Sequence, residues 1–176
     1  MLIGFMGCGK STVGAALAAR LGRRFVDLDA AVEKGAGCSI PLIFERKGEA
    51  EFRRLEARAL RRALGGRAVV SAGGGLVKLA TNRAALKKAH ARVVWLDVAW
   101  VALWRRLVAM DPRGRPLLWD AQKGRRKSQR AIRALWRERR AAYLAAATVR
   151  IVVRSDEASR RTLARVLEEL EAERRS

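Results

Sequence analysis

The run Gly4-Phe5-Met6-Gly7-Cys8-Gly9-Lys10-Ser11-Thr12 sets Gly4, Gly9, Lys10 and Ser11 in the spacing G-x-x-x-x-G-K-S. An apolar run precedes it and a helical pattern follows, the context in which that spacing forms a phosphate-binding P-loop. Glycines let the backbone turn so that N–H groups converge on phosphate oxygens, and the dipole of the next helix adds positive potential. Gly7, Cys8, Gly9, Lys10, Ser11 and Thr12 are therefore the candidate cradle of a nucleoside triphosphate. Lys10 is placed to reach the β- and γ-phosphates, and the Ser11 hydroxyl to hold Mg2+. Cys8 is a small filler at a variable position, and its thiol is expected to make nucleotide binding sensitive to alkylation.

Further polar residues follow at intervals. Asp27 and Asp29 form a D-x-D directly after an apolar run, where they either serve the phosphate chemistry or cap the next helix. Gly48-Glu49 leads into Phe52-Arg53-Arg54-Leu55-Glu56, and Gly73-Gly74-Gly75 closes a later apolar run. Arg115-Pro116-Leu117-Leu118 comes next, and Arg139 stands four residues before Tyr143. Composition does not separate Arg53 from Arg54 or Arg58; its place after Phe52 and three residues before Glu56 selects it. Arg139 competes with Arg137 and Arg140, and only its spacing to Tyr143 favours it. His90 reads as a helix-end residue.

The elements that must position these groups alternate between short β runs and longer helical ones, the pattern of an α/β fold with a parallel sheet. Strands are predicted at Met1–Phe5, Arg24–Asp27, Ala68–Ala72, Arg92–Asp97 and Thr148–Val153. Helices are predicted at Ser11–Leu21, from a Ser39 cap through Phe44, at Glu49–Leu64 before Gly65-Gly66, and at Thr81–His90. Trp100–Met110, Arg130–Ala147 and Glu157–Arg174 complete them. Asp111–Lys127 fits neither period and is too long for an ordinary connection, so it is expected to be a lid. Only three residues precede Gly4, so the first strand is unusually short or the true start lies upstream.

The D-x-D, G-E-x-x-F-R-x-x-E, G-G-G and R-P-L-L motifs, in this order behind the P-loop, resemble shikimate kinase over nearly the whole chain. That resemblance implies a single domain over 1–176, a three-layer P-loop kinase fold with a five-stranded parallel sheet flanked by helices, like the nucleoside monophosphate kinases. It implies transfer of the γ-phosphate of ATP to the 3-hydroxyl of shikimate, with a mobile lid at about 111–127. By the same resemblance Asp29 is the base that contacts the acceptor hydroxyl, and Asp27 helps hold Mg2+ through water. Arg53 and Arg139 grip the shikimate carboxylate, Glu56 holds Arg53, Gly74 offers a backbone contact, and Arg115 is the lid arginine over ATP. Two departures bear on the lid: Ala141 stands where the family has proline, and the stretch from Arg115 to Arg139 is longer and more basic than usual. Another small-metabolite kinase, such as a gluconate kinase, explains the P-loop but not the Arg53, Gly73–Gly75 and Arg139 series.

The whole-chain totals agree with such an enzyme. At 176 residues a sizeable apolar core is within reach. No stretch approaches the ~20 apolar residues of a membrane span. With no export signal at the start and two cysteines in no metal spacing, a cytoplasmic location is expected, and the resemblance implies a monomer. Thirty-eight basic residues against 17 acidic give a net charge of +21, which suits a nucleic-acid binder. The basic residues are nevertheless dispersed along helices, so a specific nucleic-acid partner is not expected, and small anionic substrates benefit from the same field. The densest cluster, Lys123 to Lys127 with Arg130 and Arg133, is the one place for a further polyanion.

Overall fold

The computed structural model describes residues 1–120, 122–154 and 159–175. Strands β1 (Leu2–Ile3), β2 (Arg24–Asp27), β3 (Ala68–Ser71) and β4 (Val94–Val98) alternate with helices α1 (Lys10–Arg20), α2 (Leu28–Ala36), α3 (Ile40–Leu64), α4 (Ala80–Lys88) and α5 (Trp100–Ala109). A two-stranded hairpin, β5 (Trp119–Asp120) and β6 (Arg125–Arg126), follows. Then come α6 (Gln129–Ala146), β7 (Val149–Val153) and α7 (Ser159–Arg175). The expected last helix starts at Glu157, and its first two residues lie outside those described.

Five strands form one parallel sheet in the order β2-β3-β1-β4-β7. All five residues of β4 are buried, as a central strand covered by helices on both faces requires. β7, at the edge, alternates buried and exposed side chains. A single apolar cluster runs through the sheet and its flanking helices. A smaller one gathers Val32, Ile43 and Phe52 where α2 meets α3. Every crossover runs from a strand to a helix at the same end of the sheet, so the loops leaving β1, β2 and β3 converge beyond their carboxyl ends. That crevice is where open parallel sheets bind ligands.

Three local expectations change. No element was expected between Asp29 and Ser39, yet α2 forms there: the Asp27 carboxylate caps it by accepting from Asp29 N at 3.0 Å, and Gly37 ends it at φ 68°. Ser39 stands at the cap position of α3 but makes no side-chain cap bond; Glu33 Oε1 accepts from Ile40 N at 2.9 Å instead. The short and long helices expected around Gly48 are joined end to end in α3, and the first runs past Phe44 to a kink at Gly48 (φ 75°, ψ 176°). Residues 111–127 carry the β5–β6 hairpin, with Trp119 opposite Arg126 and Asp120 opposite Arg125. Arg126 reaches back to donate to the carbonyls of Leu107, Val108 and Met110 at the end of α5, where Leu107 also accepts from Met110 N at 3.3 Å.

Candidate active site

The P-loop leaves β1 and turns into α1 through Gly7 (φ 78°) and Gly9 (φ 96°), left-handed positions that side-chain-bearing residues rarely adopt. Gly9 is the N-terminal cap of α1, so the first N–H groups of the helix face the cavity. Lys10 folds back over the loop, its Nζ donating to the Gly4 carbonyl at 3.0 Å and the Phe5 carbonyl at 3.1 Å. Arg106, from α5, donates to the Gly7 carbonyl at 3.3 Å and braces the loop from the other side. Cys8 differs from its neighbours. Its side chain is buried and its N–H donates to the Phe5 carbonyl at 3.2 Å, so neither faces the cavity as a phosphate contact. The expected sensitivity to alkylation therefore has no exposed thiol behind it.

A cavity of about 860 Å³ opens in front of this loop. Gly7, Gly9, Lys10, Ser11, Thr12, Asp27, Asp29, Arg53, Gly74, Arg115 and Arg139 all line it, whereas Cys8, placed in the phosphate cradle from the sequence, does not. Ser11 Oγ donates to Asp27 Oδ2 at 2.7 Å, and Ser71 Oγ lies 3.5 Å from Ser11 Oγ. Asp27 thus caps α2 with one oxygen and accepts from the Ser11 hydroxyl with the other.

The far wall explains the three consecutive glycines. A Cβ on Gly73 would collide with Glu56 Oε1 and stand 2.9 Å from Asp29 Oδ1. One on Gly74 would meet an Arg139 terminal nitrogen at 3.1 Å, and one on Gly75 the Arg53 guanidinium at 2.7 Å. The backbone of 73–75 is therefore a floor on which two carboxylates and two guanidinium groups lie. Arg53 is held by Glu56 at 2.7 Å and Glu49 at 2.9 Å, and the Phe52 ring lies 4.9 Å away. Burial works against its charge, but the two glutamates outweigh that and keep it protonated. Arg139 is buried over the Phe5 ring, with Nε and one terminal nitrogen free of protein partners; Glu56 Oε1 is likewise unpartnered. Such groups aimed into a cavity suit an anionic, hydroxyl-bearing ligand.

The competing arginines point elsewhere. Arg54 pairs with Glu51 on the surface, and Arg58 and Arg137 are exposed. Arg140 turns to the other side of α6 and forks onto Asp97. Burial pushes the Asp29 carboxyl above its ordinary range, and the neighbouring Asp27 adds to this, while Lys10 and Arg115 pull it back. Burial also raises Glu56, against the pull of Arg53. Sequence reasoning assigned no role to Glu33, Ile40, Phe44, Ser71 or Arg106, which also line the cavity. Phe52, which belongs to the quoted G-E-x-x-F-R-x-x-E motif, lines it too; nothing in the sequence separates Arg106 from Arg105.

Comparison with known proteins agrees with this geometry. A family model described as "Shikimate kinase" matches residues 6–171. The chain belongs to the shikimate kinase family. A shikimate kinase of Synechococcus sp. (strain RCC307) is 52% identical over 118 residues, which cover 66% of this chain and 59% of that relative. One from Persephonella marina is 43% identical over 151 residues, 85% of each protein. Among solved structures, shikimate kinase from Acinetobacter baumannii in complex with shikimate superposes with a TM-score of 0.87 at 33% identity, covering 98% of this chain and 92% of that one. The family fold is thus present together with the cavity described above.

Proposed function

We propose that this chain is a shikimate kinase, transferring the γ-phosphoryl group of ATP to the 3-hydroxyl of shikimate. The observation that carries the reading is the floor at Gly73–Gly75, around which Asp29, Arg53 and Arg139 line the same cavity as the P-loop. In this reading Arg53 and Arg139 take the planar carboxylate by charge-assisted hydrogen bonds, which fixes the ring against the glycine backbone. Asp29 orients the acceptor hydroxyl and takes its proton, a task that suits a carboxyl raised above its ordinary range. The N–H groups of the P-loop hold the phosphates, and Lys10 leaves its loop carbonyls to reach the transferring group. Arg115, which lies close enough to lower Asp29, adds charge at the phosphates as residues 111–127 close as a lid and exclude water.

The oxygen donors Ser11 and Asp27, side by side on the cavity wall, fit a hard cation such as Mg2+. Among the described residues no group of three or more His, Cys, Asp or Glu stands together to hold a metal ion. When bound with ATP, Mg2+ supplies charge neutralisation at the β- and γ-oxygens. The reading includes action as a monomer in the cytoplasm; no described helix is long and apolar enough to cross a membrane. A coupled ADP-release assay with shikimate, gluconate and nucleoside monophosphates tests it. Turnover that depends on shikimate is expected, and ADP release indifferent to shikimate overturns the reading.

A further inference from the structure

Arg139 has a problem of placement. It is buried, and two of its three guanidinium nitrogens have no protein partner, so hydrogen bonds of its own do little to fix its direction. Its aim is inherited from the rotation of α6 about its axis. On the cavity side that rotation is pinned one turn later, where the Tyr143 hydroxyl donates to the Gly74 carbonyl. A second pin is needed on another face of the helix, because one contact is a pivot rather than a clamp.

The next residue in the chain supplies it. Arg140 projects about 100° around the helix from Arg139. It donates to Asp97 Oδ1 at 2.6 Å and Oδ2 at 3.1 Å, a two-pronged bond to a buried carboxylate on β4. Its guanidinium lies 5.1 Å from the Trp95 ring of β4 and 5.0 Å from the Trp136 ring of α6 itself, so aromatic faces hold the fork as well as the carboxylate. We infer that Arg140 is a positioning residue for the acceptor site: its fork onto Asp97 sets the rotation of α6 and thereby aims Arg139 at the substrate carboxylate. This rests on the proposed role of Arg139 as part of the carboxylate clamp.

A role limited to neutralising Asp97 is separable from this. Arg150, on β7, also donates to Asp97 Oδ2, through Nε at 3.0 Å and a terminal nitrogen at 2.6 Å. Asp97 therefore keeps a cation when Arg140 is removed, while α6 loses its fork onto β4 and keeps only the Tyr143 pin on the cavity side. Removing Arg150 has the converse effect. It weakens the charge balance at Asp97 and leaves α6 anchored.

The experiment compares Arg140→Ala and Arg150→Ala with the wild type by steady-state kinetics in both substrates and by thermal unfolding, with Arg139→Ala as reference. Arg140→Ala is expected to raise the KM for shikimate about tenfold while the KM for ATP stays within about twofold. Arg150→Ala is expected to lower Tm but to leave the shikimate KM within about twofold of wild type. Should Arg140→Ala not fold, Arg140→Lys carries the comparison: it keeps the charge and stem, loses the fork, and is expected to show the same selective rise, smaller in size. Equal changes in both KM values, no change in either, or the same shikimate effect from Arg150→Ala overturns the inference. A wild type without shikimate-dependent turnover, or an Arg139→Ala variant with unchanged shikimate KM, overturns the functional reading and this inference with it. A selective defect in Arg139→Ala with none in Arg140→Ala or Arg140→Lys overturns the inference alone.

Discussion

At Asp29, burial and the Asp27 carboxylate both disfavour the charge that proton acceptance requires, and Lys10 with Arg115 restores only part of it. A carboxyl raised in the folded state stabilises the fold less once it ionises, so its ionised form costs stability at neutral pH and the cost disappears as pH falls through its raised value. Asp29→Asn is therefore expected to cut kcat by roughly a hundredfold or more while Tm at pH 7 rises. Near-normal turnover would remove Asp29 as the base, and a lowered Tm would contradict the stored repulsion. The same field sets the pH profile. The acid limb of kcat/KM should lie above the ordinary carboxylate value of 3.8 and move to lower pH in Asp27→Asn, whose residual activity lacks the neighbouring negative charge. A limb that stays put in that variant would assign the titration to another group. Legibility at this scale depended on what motif spacing encodes. The P-loop sits in fixed local geometry, so Lys10 and Ser11 could be picked out by spacing, whereas Asp27 and Asp29 stayed open between chemistry and capping and took their roles only from the family resemblance. Arg139 against Arg140 is a difference of one residue on a helix, about 100° of rotation, and only the partner at Asp97 shows which one faces the cavity.

Elements were legible where burial imposes a period. β3, β4 and β7 were read within a residue or two because their apolar runs are bounded by turns and glycines. α2 escaped notice because its nine residues hide only Leu28 and Val32, too few to show a helical stripe. The Ser39 cap misled for a related reason: Ser39 takes the cap position without a side-chain bond, and the Ile40 N–H is satisfied by Glu33 reaching across from α2, a contact no local pattern contains. The hairpin in 111–127 depends in the same way on a partner distant in sequence. Arg126 ties it to three carbonyls at the end of α5, the helix whose Arg106 braces the P-loop. Arg126→Ala leaves those carbonyls without their charged donor and is expected to cost about 2 kcal/mol of stability. Its more specific effect should be faster proteolytic cleavage within 111–127 and a larger share of ATP consumed without shikimate phosphorylation, since the lid segment loses its anchor. Comparing ADP release with shikimate phosphate formed measures that share. An unchanged ratio, with cleavage no faster than wild type, would leave Arg126 as a helix cap and nothing more.

Over the whole molecule, a net charge of +21 surrounds a cavity whose own carboxylates sit deep inside it. The basic residues are spread along α3, α5, α6 and the hairpin rather than gathered in one stripe. Their joint effect is a long-range positive field rather than a specific contact. Two kinds of electrostatics then act on the same substrates. The Arg53 contact is partly buried, backed by Glu56, and weakly screened by salt. The surface field acts through solvent and collapses as the Debye length shrinks from about 10 Å at 0.1 M to about 3 Å at 1 M. Raising NaCl from about 20 mM to about 500 mM should therefore leave kcat nearly constant and raise KM, since the field concentrates anions without touching the reacting atoms. The rise should be steeper for ATP, with its several phosphate charges, than for shikimate, whose single carboxylate the proposed Arg53–Arg139 clamp would hold. Steady-state kinetics in both substrates across that range decides it. Equal slopes would mean that the field does not distinguish the two anions, and a flat ATP KM would show that the surplus charge plays no part in catalysis.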